Sequence, residues 1–201
     1  MSEQSQQLVV LASGNAGKLR EFKEILAPLG VNLKFQAEFD VPDVEENGLS
    51  FVENAIIKAR NAAKHTGLPA IADDSGLEVD ALNGRPGIYS ARFAGPQNND
   101  DDNNEKLLAD LQNVPQQQRS ARFQCLLVFM RHAEDPTPLI CQGSWEGRVL
   151  LETEGENGFG YDPLFYVPEK ACSSAQLAPA EKNSISHRGQ AMAKLLRQLI
   201  D

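Results

Sequence analysis

The stretch Leu8-Val9-Val10-Leu11-Ala12-Ser13-Gly14-Asn15-Ala16-Gly17-Lys18 decides the predicted fold. Its first five residues form an apolar run without polar alternation, which is typical of a strand buried on both faces. A loop with two glycines follows, and apolar residues then recur at helical spacing from Leu19 to Leu29, with Gly30 as the predicted end of the helix. A strand, a glycine loop and a helix in this order indicate the first unit of an α/β protein.

The next segments extend the same pattern. Val31–Gln36 alternates like a second strand, and Ser50 begins a capping-box pattern that predicts a helix ending near Gly67. Pro69–Ala72 is a further buried strand that is expected to end abruptly at Asp73-Asp74-Ser75-Gly76, with a separate strand at Leu77–Leu82. The alternation of strands and helices therefore continues through the first half of the chain.

A predicted hairpin interrupts the alternation in the second half. Ala121–Arg131 and Pro138–Gln142 are apolar strands separated by a turn signal. The polar and acidic stretch Asn98–Asn104 is expected to precede a helix, and a last helix is predicted from His187 with Leu199 facing inward. The sequence therefore predicts an α/β protein with a mixed sheet and flanking helices. Because no repeat or linker divides the chain, we expect one domain over residues 1–201.

Composition excludes several classes of protein. The 201 residues carry a net charge of −9, which argues against binding nucleic acid or an anionic membrane through bulk charge. The three cysteines lack a C-x-x-C spacing, which favours a reducing compartment over a disulfide framework or zinc site. No leader sequence and no membrane-spanning apolar run is present, so we expect a cytoplasmic protein.

Two polar connections after buried strands could bind a phosphate and a metal ion. Ser13–Lys18 combines glycines, a helix N-terminus and a lysine, which suits a phosphate, although the same pattern could be an ordinary strand-to-helix turn. It is not a P-loop, because the motif would need glycine at Ala12 and serine or threonine at Leu19. Asp73-Asp74 could hold Mg²⁺ or accept a proton from water, or could be an acidic turn.

Two further polar segments could bind a purine ring and its phosphates. Gly158–Pro163 has an aromatic side chain between glycines, which can present a ring face for stacking or form a tight turn around a core phenylalanine. Lys182 and Ser186–Gly189 could contact phosphate or a base carbonyl. The alternative is that Ser186 caps the last helix and its basic neighbours are solvated. Each segment is ambiguous, but together the four describe a nucleotide site.

The same segments resemble the inosine triphosphate pyrophosphatase family, and within it the bacterial enzymes for non-canonical purine nucleoside triphosphates. The match runs from about Leu8 to Leu199 in the order of the family, and it rests on six segments: Ser13–Lys18, Phe51–Arg60, Ala72–Leu82, Pro86–Arg92, Gly158–Pro163 and Ser186–Gly189. The resemblance implies hydrolysis of dITP, ITP, XTP and dXTP to the monophosphate and pyrophosphate, which removes deaminated purines from the nucleotide pool. It also implies an elongated mixed sheet, two lobes around a central substrate cleft, a requirement for Mg²⁺ and a homodimer.

Residue roles also follow from the resemblance. Asp74 is expected to be the catalytic base and a metal ligand, with Glu46 as a second metal ligand. The residues expected to bind substrate are Ser13, Gly14, Asn15, Ala16, Gly17, Lys18, Ser75, Phe159, Gly160, Tyr161, Asp162, Lys182, His187 and Arg188.

Two other classes of function remain open from the sequence. A non-catalytic nucleotide-binding regulator could use the same residues, although binding alone needs no carboxylate beside phosphates. A pyrophosphatase for modified pyrimidine or methylated nucleotides, as in the septum-inhibitor (Maf) family, is the second alternative. The segments around Phe159 and His187 favour the purine enzyme.

Overall fold

The computed structural model describes residues 8–26, 32–96 and 99–200. The strands are β1 (Leu8–Leu11), β2 (Asn32–Phe35), β3 (Ala70–Val79), β4 (Ser120–Met130), β5 (Leu139–Val149), β6 (Phe165–Val167) and β7 (Cys172–Ser173). The α-helices are α1 (Ala16–Leu26), α2 (Phe51–Thr66), α3 (Asp100–Asp110), α4 (Pro179–Ile185) and α5 (His187–Ile200). The predicted helix end at Gly30 lies outside the described residues.

The seven strands form one sheet in the order β2-β1-β3-β4-β5-β6-β7. β1 pairs in parallel with both β2 and β3, whereas β6 is antiparallel to both β5 and β7. The predicted mixed α/β sheet with flanking helices is therefore confirmed. In the described ranges, no helix is both long enough and apolar enough to cross a membrane.

The chain folds as two compact units, each built from separate segments. Unit 1 consists of Met1–Asp74, Leu126–Gln142 and Ala191–Asp201, and unit 2 consists of Ser75–Cys125 and Gly143–Gln190. The expectation of a single domain over residues 1–201 stays a prediction.

The core of unit 1 depends on small side chains of α2. Ser50 caps this helix by accepting a hydrogen bond from the backbone N–H of Glu53, as the capping box predicts, and Gly67 ends it. Ala55, Ala59, Ala62 and Ala63 of α2 are buried against Val10, Ala12, Ala70, Ala72, Val128 and Met130. Because these positions repeat at helical spacing, one narrow alanine face packs against the strands.

The core of unit 2 is larger and richer in aromatic side chains. Leu77 and Val79 of β3 pack with Leu107 and Leu111 from α3 and its end, and with an aromatic group formed by Phe123, Trp145, Tyr161 and Phe165. Phe123 and Phe165 have ring centroids 4.6 Å apart, a separation at which aromatic pairs attract each other. This core supports the loop around Phe159, because Tyr161 belongs to it, and the start of α5, because His187 stacks on Phe123.

The prediction of a break at Asp73–Gly76 was wrong. β3 runs without interruption from Ala70 to Val79, with both aspartates inside the strand. Asp73 and Asp74 are buried and form ion pairs with Lys18 and Lys58, so their charges are compensated without the solvent that a turn would supply. The adjacent carboxylates of Asp73 and Asp74 therefore lie in the interior of a strand and not in a turn.

Two helix predictions also need correction. The acidic run Asp100–Asp102 was expected to precede a helix, but it forms the first turn of α3, where Asn99 caps the helix and negative charge is favourable. α5 begins at His187 as predicted, and Ala191 and Leu195 are fully buried. Leu199 was expected to face inward but is 44% exposed, because it lies in the last turn of the helix.

Candidate active site

The Ser13–Lys18 segment forms a loop that leads from β1 into α1 in unit 1. The side-chain oxygen of Asn15 accepts the backbone N–H of Lys18 at 3.0 Å, and the backbone N–H of Asn15 donates to Ser13 Oγ at 3.2 Å. Asn15 therefore caps α1, and Gly14 to Ala16 remain exposed. An exposed loop at the N-terminus of an 11-residue helix has the geometry that favours an anion.

Two lysines of unit 1 hold three carboxylates together. Lys18 Nζ lies 3.0 Å from Asp73 Oδ2. Lys58 Nζ lies 2.8 Å from Glu46 Oε2 and 2.9 Å from Asp74 Oδ1. The structure thus brings Glu46 and Asp74, the two predicted metal ligands, into contact with one ammonium group.

The pKa values in this cluster shift for opposing reasons. Burial raises the pKa of Asp74 above its ordinary value, and the positive charges of Lys58 and Lys18 only partly offset that effect. Burial would lower the pKa of Lys58, but the charges of Asp74, Asp73 and Glu46 outweigh it and raise the pKa. A carboxylate with a raised pKa is a stronger base than an exposed aspartate, which suits proton removal from water.

The donor set of this cluster fits Mg²⁺. Within the described ranges, no group of three or more histidine, cysteine, aspartate or glutamate side chains is arranged to hold a metal ion. Mg²⁺ does not need such a cage, because it binds through one or two carboxylates and completes its shell with water and substrate phosphates. The carboxylates of Glu46 and Asp74 supply two hard oxygen ligands. They already bind one cation, the ammonium group of Lys58.

Sequence reasoning missed Lys58 and Asn54, which both contact Asp74. Lys58 pairs with Asp74, and the amide of Asn54 donates to Asp74 Oδ2 at 3.4 Å. The signal was present in the sequence, because polar residues four positions apart share one face of a helix. Their position on α2, next to the stripe of buried alanines, could have indicated contact with the core strands.

In unit 2, the loop around Phe159 is organised by the carboxylate of Asp162. Asp162 is buried and accepts hydrogen bonds from the backbone N–H of Phe159 at 2.9 Å and the hydroxyl of Ser174 at 2.8 Å. Lys182 Nζ lies 2.6 Å from its second oxygen. Three donors of the chain already engage this carboxylate, and the expected contact of Asp162 with substrate stays a prediction.

Two buried cations lie beside the ring of Phe159. Lys182 Nζ is 5.0 Å and the Arg188 guanidinium 5.9 Å from the ring centroid, within the range of cation–π attraction. Arg188 also donates to Ser75 Oγ at 2.9 Å. The structure therefore brings four predicted substrate-binding residues of unit 2 together.

The alternative in which the basic residues near Ser186 are solvated was wrong. Ser186 does accept the backbone N–H of Gly189 and so caps α5, but Lys182, His187 and Arg188 are 5%, 5% and 1% exposed. His187 stacks on Phe123 with ring centroids 4.8 Å apart. Buried cations require compensation, which Asp162 provides for Lys182.

The side chain of Tyr161 faces the core. Its hydroxyl donates to the backbone oxygen of Ser90 at 2.8 Å, and burial, with a smaller contribution from Asp100, raises the pKa of the phenol. Any contact of Tyr161 with a ligand would therefore use its backbone. Tyr161 instead anchors the loop that carries Phe159.

The predicted site residues therefore fall into two groups, one in each unit. The residues of unit 1 have the chemistry of a site for phosphate and a divalent cation, and they are Ser13, Gly14, Asn15, Ala16, Gly17, Lys18, Glu46 and Asp74. Those of unit 2 surround an aromatic ring with buried hydrogen-bonding cations, and they are Ser75, Phe159, Gly160, Tyr161, Asp162, Lys182, His187 and Arg188. The class of protein that has both groups is one that binds nucleoside phosphates.

Comparison with known proteins assigns the chain to a family. The model of the Ham1 family matches residues 9–198. A dITP/XTP pyrophosphatase of Thioalkalivibrio sulfidiphilus is 61% identical over 191 residues, which cover 95% of this chain and 97% of that protein. A dITP/XTP pyrophosphatase of Escherichia coli O157:H7 is 58% identical over 193 residues, which cover 96% and 98%.

Solved structures give the same result for the fold. A HAM1 protein from Coxiella burnetii superposes with a TM-score of 0.90 at 52% identity, covering 96% of this chain and 98% of that one. The Ham1 protein of Staphylococcus aureus superposes with a TM-score of 0.84 at 44% identity, with coverage of 96% and 98%. The chain belongs to the Ham1 family, which confirms the resemblance found in the sequence.

Proposed function

We propose that this protein hydrolyses non-canonical purine nucleoside triphosphates (dITP, ITP, XTP and dXTP) to the nucleoside monophosphate and pyrophosphate. The observation that best supports this reaction is the buried carboxylate of Asp74, which lies 2.9 Å from Lys58 Nζ and has a raised pKa. Binding of a nucleotide alone does not require a carboxylate with a raised pKa beside the phosphates, whereas proton removal from water does. The names of the relatives, dITP/XTP pyrophosphatases, support the same reaction and substrate class.

The residues of unit 1 provide the chemistry at phosphorus. A triphosphate is repelled by a chain of net charge −9, so Lys18 and the N-terminus of α1 are needed to bind it. Asp74 orients a water molecule and accepts its proton as the water attacks the α-phosphorus. The Mg²⁺ that Glu46 and Asp74 would hold supplies, when bound, charge neutralisation on the phosphates and on the departing pyrophosphate.

The residues of unit 2 provide recognition of the base. Phe159 offers a ring for stacking. Hypoxanthine and xanthine have a carbonyl acceptor at the 6-position, whereas adenine has an amino donor there. The Arg188 guanidinium or a backbone N–H would donate to the carbonyl of hypoxanthine or xanthine. With adenine bound, this donor would have no acceptor, which can lower kcat/KM by a factor on the order of 10⁴. Refusal of guanine requires in addition that its 2-amino group is excluded by shape or by an unpaired donor.

The location and assembly of the protein remain parts of the proposal. The homodimer rests on the resemblance to the family, and the cytoplasmic location rests on the three cysteines, whose spacing favours a reducing compartment. In such a setting the reaction would keep deaminated purines out of DNA and RNA.

Product analysis with a base-deficient variant tests the proposed function. With Mg²⁺, we expect pyrophosphate from dITP and XTP and little product from ATP or GTP. Asp74→Asn is expected to lose a factor of about 10²–10⁴ in kcat, because it removes a general base, while keeping the wild-type circular dichroism spectrum. Glu45→Gln, at an exposed neighbour of Glu46, is the control and should retain full activity.

Three results would contradict the proposal. Near-normal turnover by Asp74→Asn would remove Asp74 from the mechanism. Equal rates on GTP and ITP would refute the account of base recognition. Tight binding of dITP without turnover by the wild-type protein would identify a nucleotide-binding regulator.

A further inference from the structure

The residues that present Phe159 form a tight turn with a defined geometry. The backbone N–H of Asp162 donates to the carbonyl oxygen of Phe159 at 3.3 Å and closes the turn. Gly160 has a φ of +61°, and Tyr161 has a φ of −88° with a ψ of 8°. These angles match a type II′ turn, in which the first central residue occupies a region that favours glycine.

Two side chains from the start of α3 bind the central glycine of this turn. Asp100 Oδ2 accepts the backbone N–H of Gly160 at 2.6 Å, and Asn104 Nδ2 donates to the carbonyl oxygen of Gly160 at 2.9 Å. Asp100 and Asn104 are four positions apart, so they lie on one face of the helix. The backbone N–H and the backbone carbonyl of Gly160 are therefore both hydrogen-bonded to side chains of α3.

The start of α3 is itself fixed in place. Asn99 and Asp102 form a reciprocal capping box, in which each side chain accepts the backbone N–H of the other residue. The side-chain oxygen of Asn103 accepts the backbone N–H of Ala94 at 2.9 Å. A helix start with these restraints can hold a neighbouring loop without large loss of entropy, because its own side chains are already ordered.

The contact from Asn104 determines the orientation of the central peptide group of the turn. A type II′ turn differs from a type I′ turn mainly in the direction of the peptide that joins its two central residues. Asn104 binds the oxygen of that peptide, which joins Gly160 to Tyr161. Because the C=O and N–H of a trans peptide point in opposite directions, fixing this oxygen also fixes the direction of the Tyr161 N–H.

We propose that Asp100 and Asn104 are positioning residues for purine recognition: they fix the Gly160 peptide groups, and thereby the Phe159 ring and the Tyr161 N–H, in the conformation that accepts the base. This inference rests on the proposed function. Asp100 and Asn104 lie on α3, outside the loop around Phe159 that would contact the base. Part of the selectivity for the base would therefore depend on residues that do not contact it.

Steady-state kinetics with dITP can test this role against a merely structural one. Asn104→Leu keeps the branched shape of the side chain and removes the donor, and Asp100→Ala removes the acceptor at an exposed position that does not threaten folding. Each is expected to raise KM for dITP about tenfold, the effect of one lost hydrogen bond, with kcat within twofold of wild type. Asp100→Asn retains an oxygen acceptor and should restore most of the loss, and Asp101→Ala, in the same turn, is the matched control.

Inhibition by inorganic tripolyphosphate gives the second readout, because this anion has no base. If Asp100 and Asn104 act only on base recognition, its inhibition constant will be the same in wild type and all variants. Unchanged KM for dITP in both disruptive variants, or a parallel loss of tripolyphosphate affinity, would overturn the inference while leaving the pyrophosphatase activity intact. Failure of the wild-type protein itself to release pyrophosphate from dITP would instead refute the proposed function and this inference with it.

Discussion

The ion pair between Lys182 and Asp162 provides a sharp test of how burial determines the strength of a salt bridge. Their side chains are 6% and 3% exposed, and the ammonium and carboxylate are 2.6 Å apart. Lys182→Met removes the charge but keeps a flexible chain of similar length. We expect strong destabilisation, because the Asp162 carboxylate would remain buried without its cation.

The magnitude follows from the remaining contacts of Asp162. Breaking a buried pair by removing one partner costs about 3–5 kcal/mol. Asp162 keeps its hydrogen bonds from Phe159 and Ser174, so the lower end, about 3 kcal/mol, applies. For a chain of this length, each kcal/mol lowers the midpoint of thermal unfolding by about 2–4 °C, which predicts a decrease of about 6–12 °C.

An exposed pair of equal length in the same unit provides the matched control. Lys170 and Glu181 are also 2.6 Å apart, but their side chains are 36% and 41% exposed. Lys170→Met should leave the midpoint nearly unchanged, since solvent screens exposed pairs. The double variant Lys182→Met/Asp162→Asn should recover part of the loss, because it removes the uncompensated charge. Equal midpoints for Lys182→Met and Lys170→Met, measured by calorimetry, would refute this reasoning.

Two further predictions concern acid stability and the turn at Gly158. Hydrogen bonds from Arg131 hold the pKa of Asp135 below its ordinary value, so this carboxylate stabilises the fold above about pH 4, the unfolded-state pKa, and the stabilisation is lost as pH falls further. The difference in unfolding free energy between wild type and Asp135→Asn should therefore stay constant above about pH 5 and shrink below about pH 4; a difference independent of pH would contradict this. Gly158→Ala places a Cβ atom in steric clash with Asp162 Oδ2 at a φ of +81°, whereas Gly84→Ala meets no atom within 4 Å at a φ of +82°. The left-handed backbone should cost each variant about 1–2 kcal/mol of unfolding free energy. The clash with Asp162 should make Gly158→Ala the less stable of the two, and only this variant should also raise KM for dITP; equal effects of the two on KM would count against a role for the steric contact.

The sequence predicted well those features of the fold that local patterns determine. The apolar run at Leu8, the capping box at Ser50 and the C-terminal helix from His187 all appear as expected. Each depends on residues close together in the chain, and such interactions are visible in one sequence.

The features that the sequence did not reveal depend on contacts between distant residues. Asp73 and Asp74 looked like a turn because nothing nearby in the sequence neutralises them, yet Lys18 and Lys58 do so in space. Lys182 looked like a solvated base for the same reason, since its partner Asp162 is 20 residues away. Buried charges are tolerated only when paired, and pairing across the chain leaves no local signal.

The site was predicted in composition but not in its supporting contacts. The phosphate loop, Asp74 and Phe159 were identified as candidates from residue type and resemblance. Asp100 and Asn104 were missed because their role depends on how α3 meets the loop at Gly160. A single sequence indicates which residues could contact a ligand. It gives much less information about the residues that position those ligand-contacting residues.

Phosphorus NMR of dITP during turnover tests the central claim most directly. With Mg²⁺ and the wild-type protein, the three triphosphate resonances should be replaced by those of dIMP and pyrophosphate in equal amounts, with no orthophosphate. This result would show that the bond between the α- and β-phosphates is the one cleaved. Formation of dIDP with orthophosphate would contradict the account, because it would mean that the γ-phosphate is the group removed.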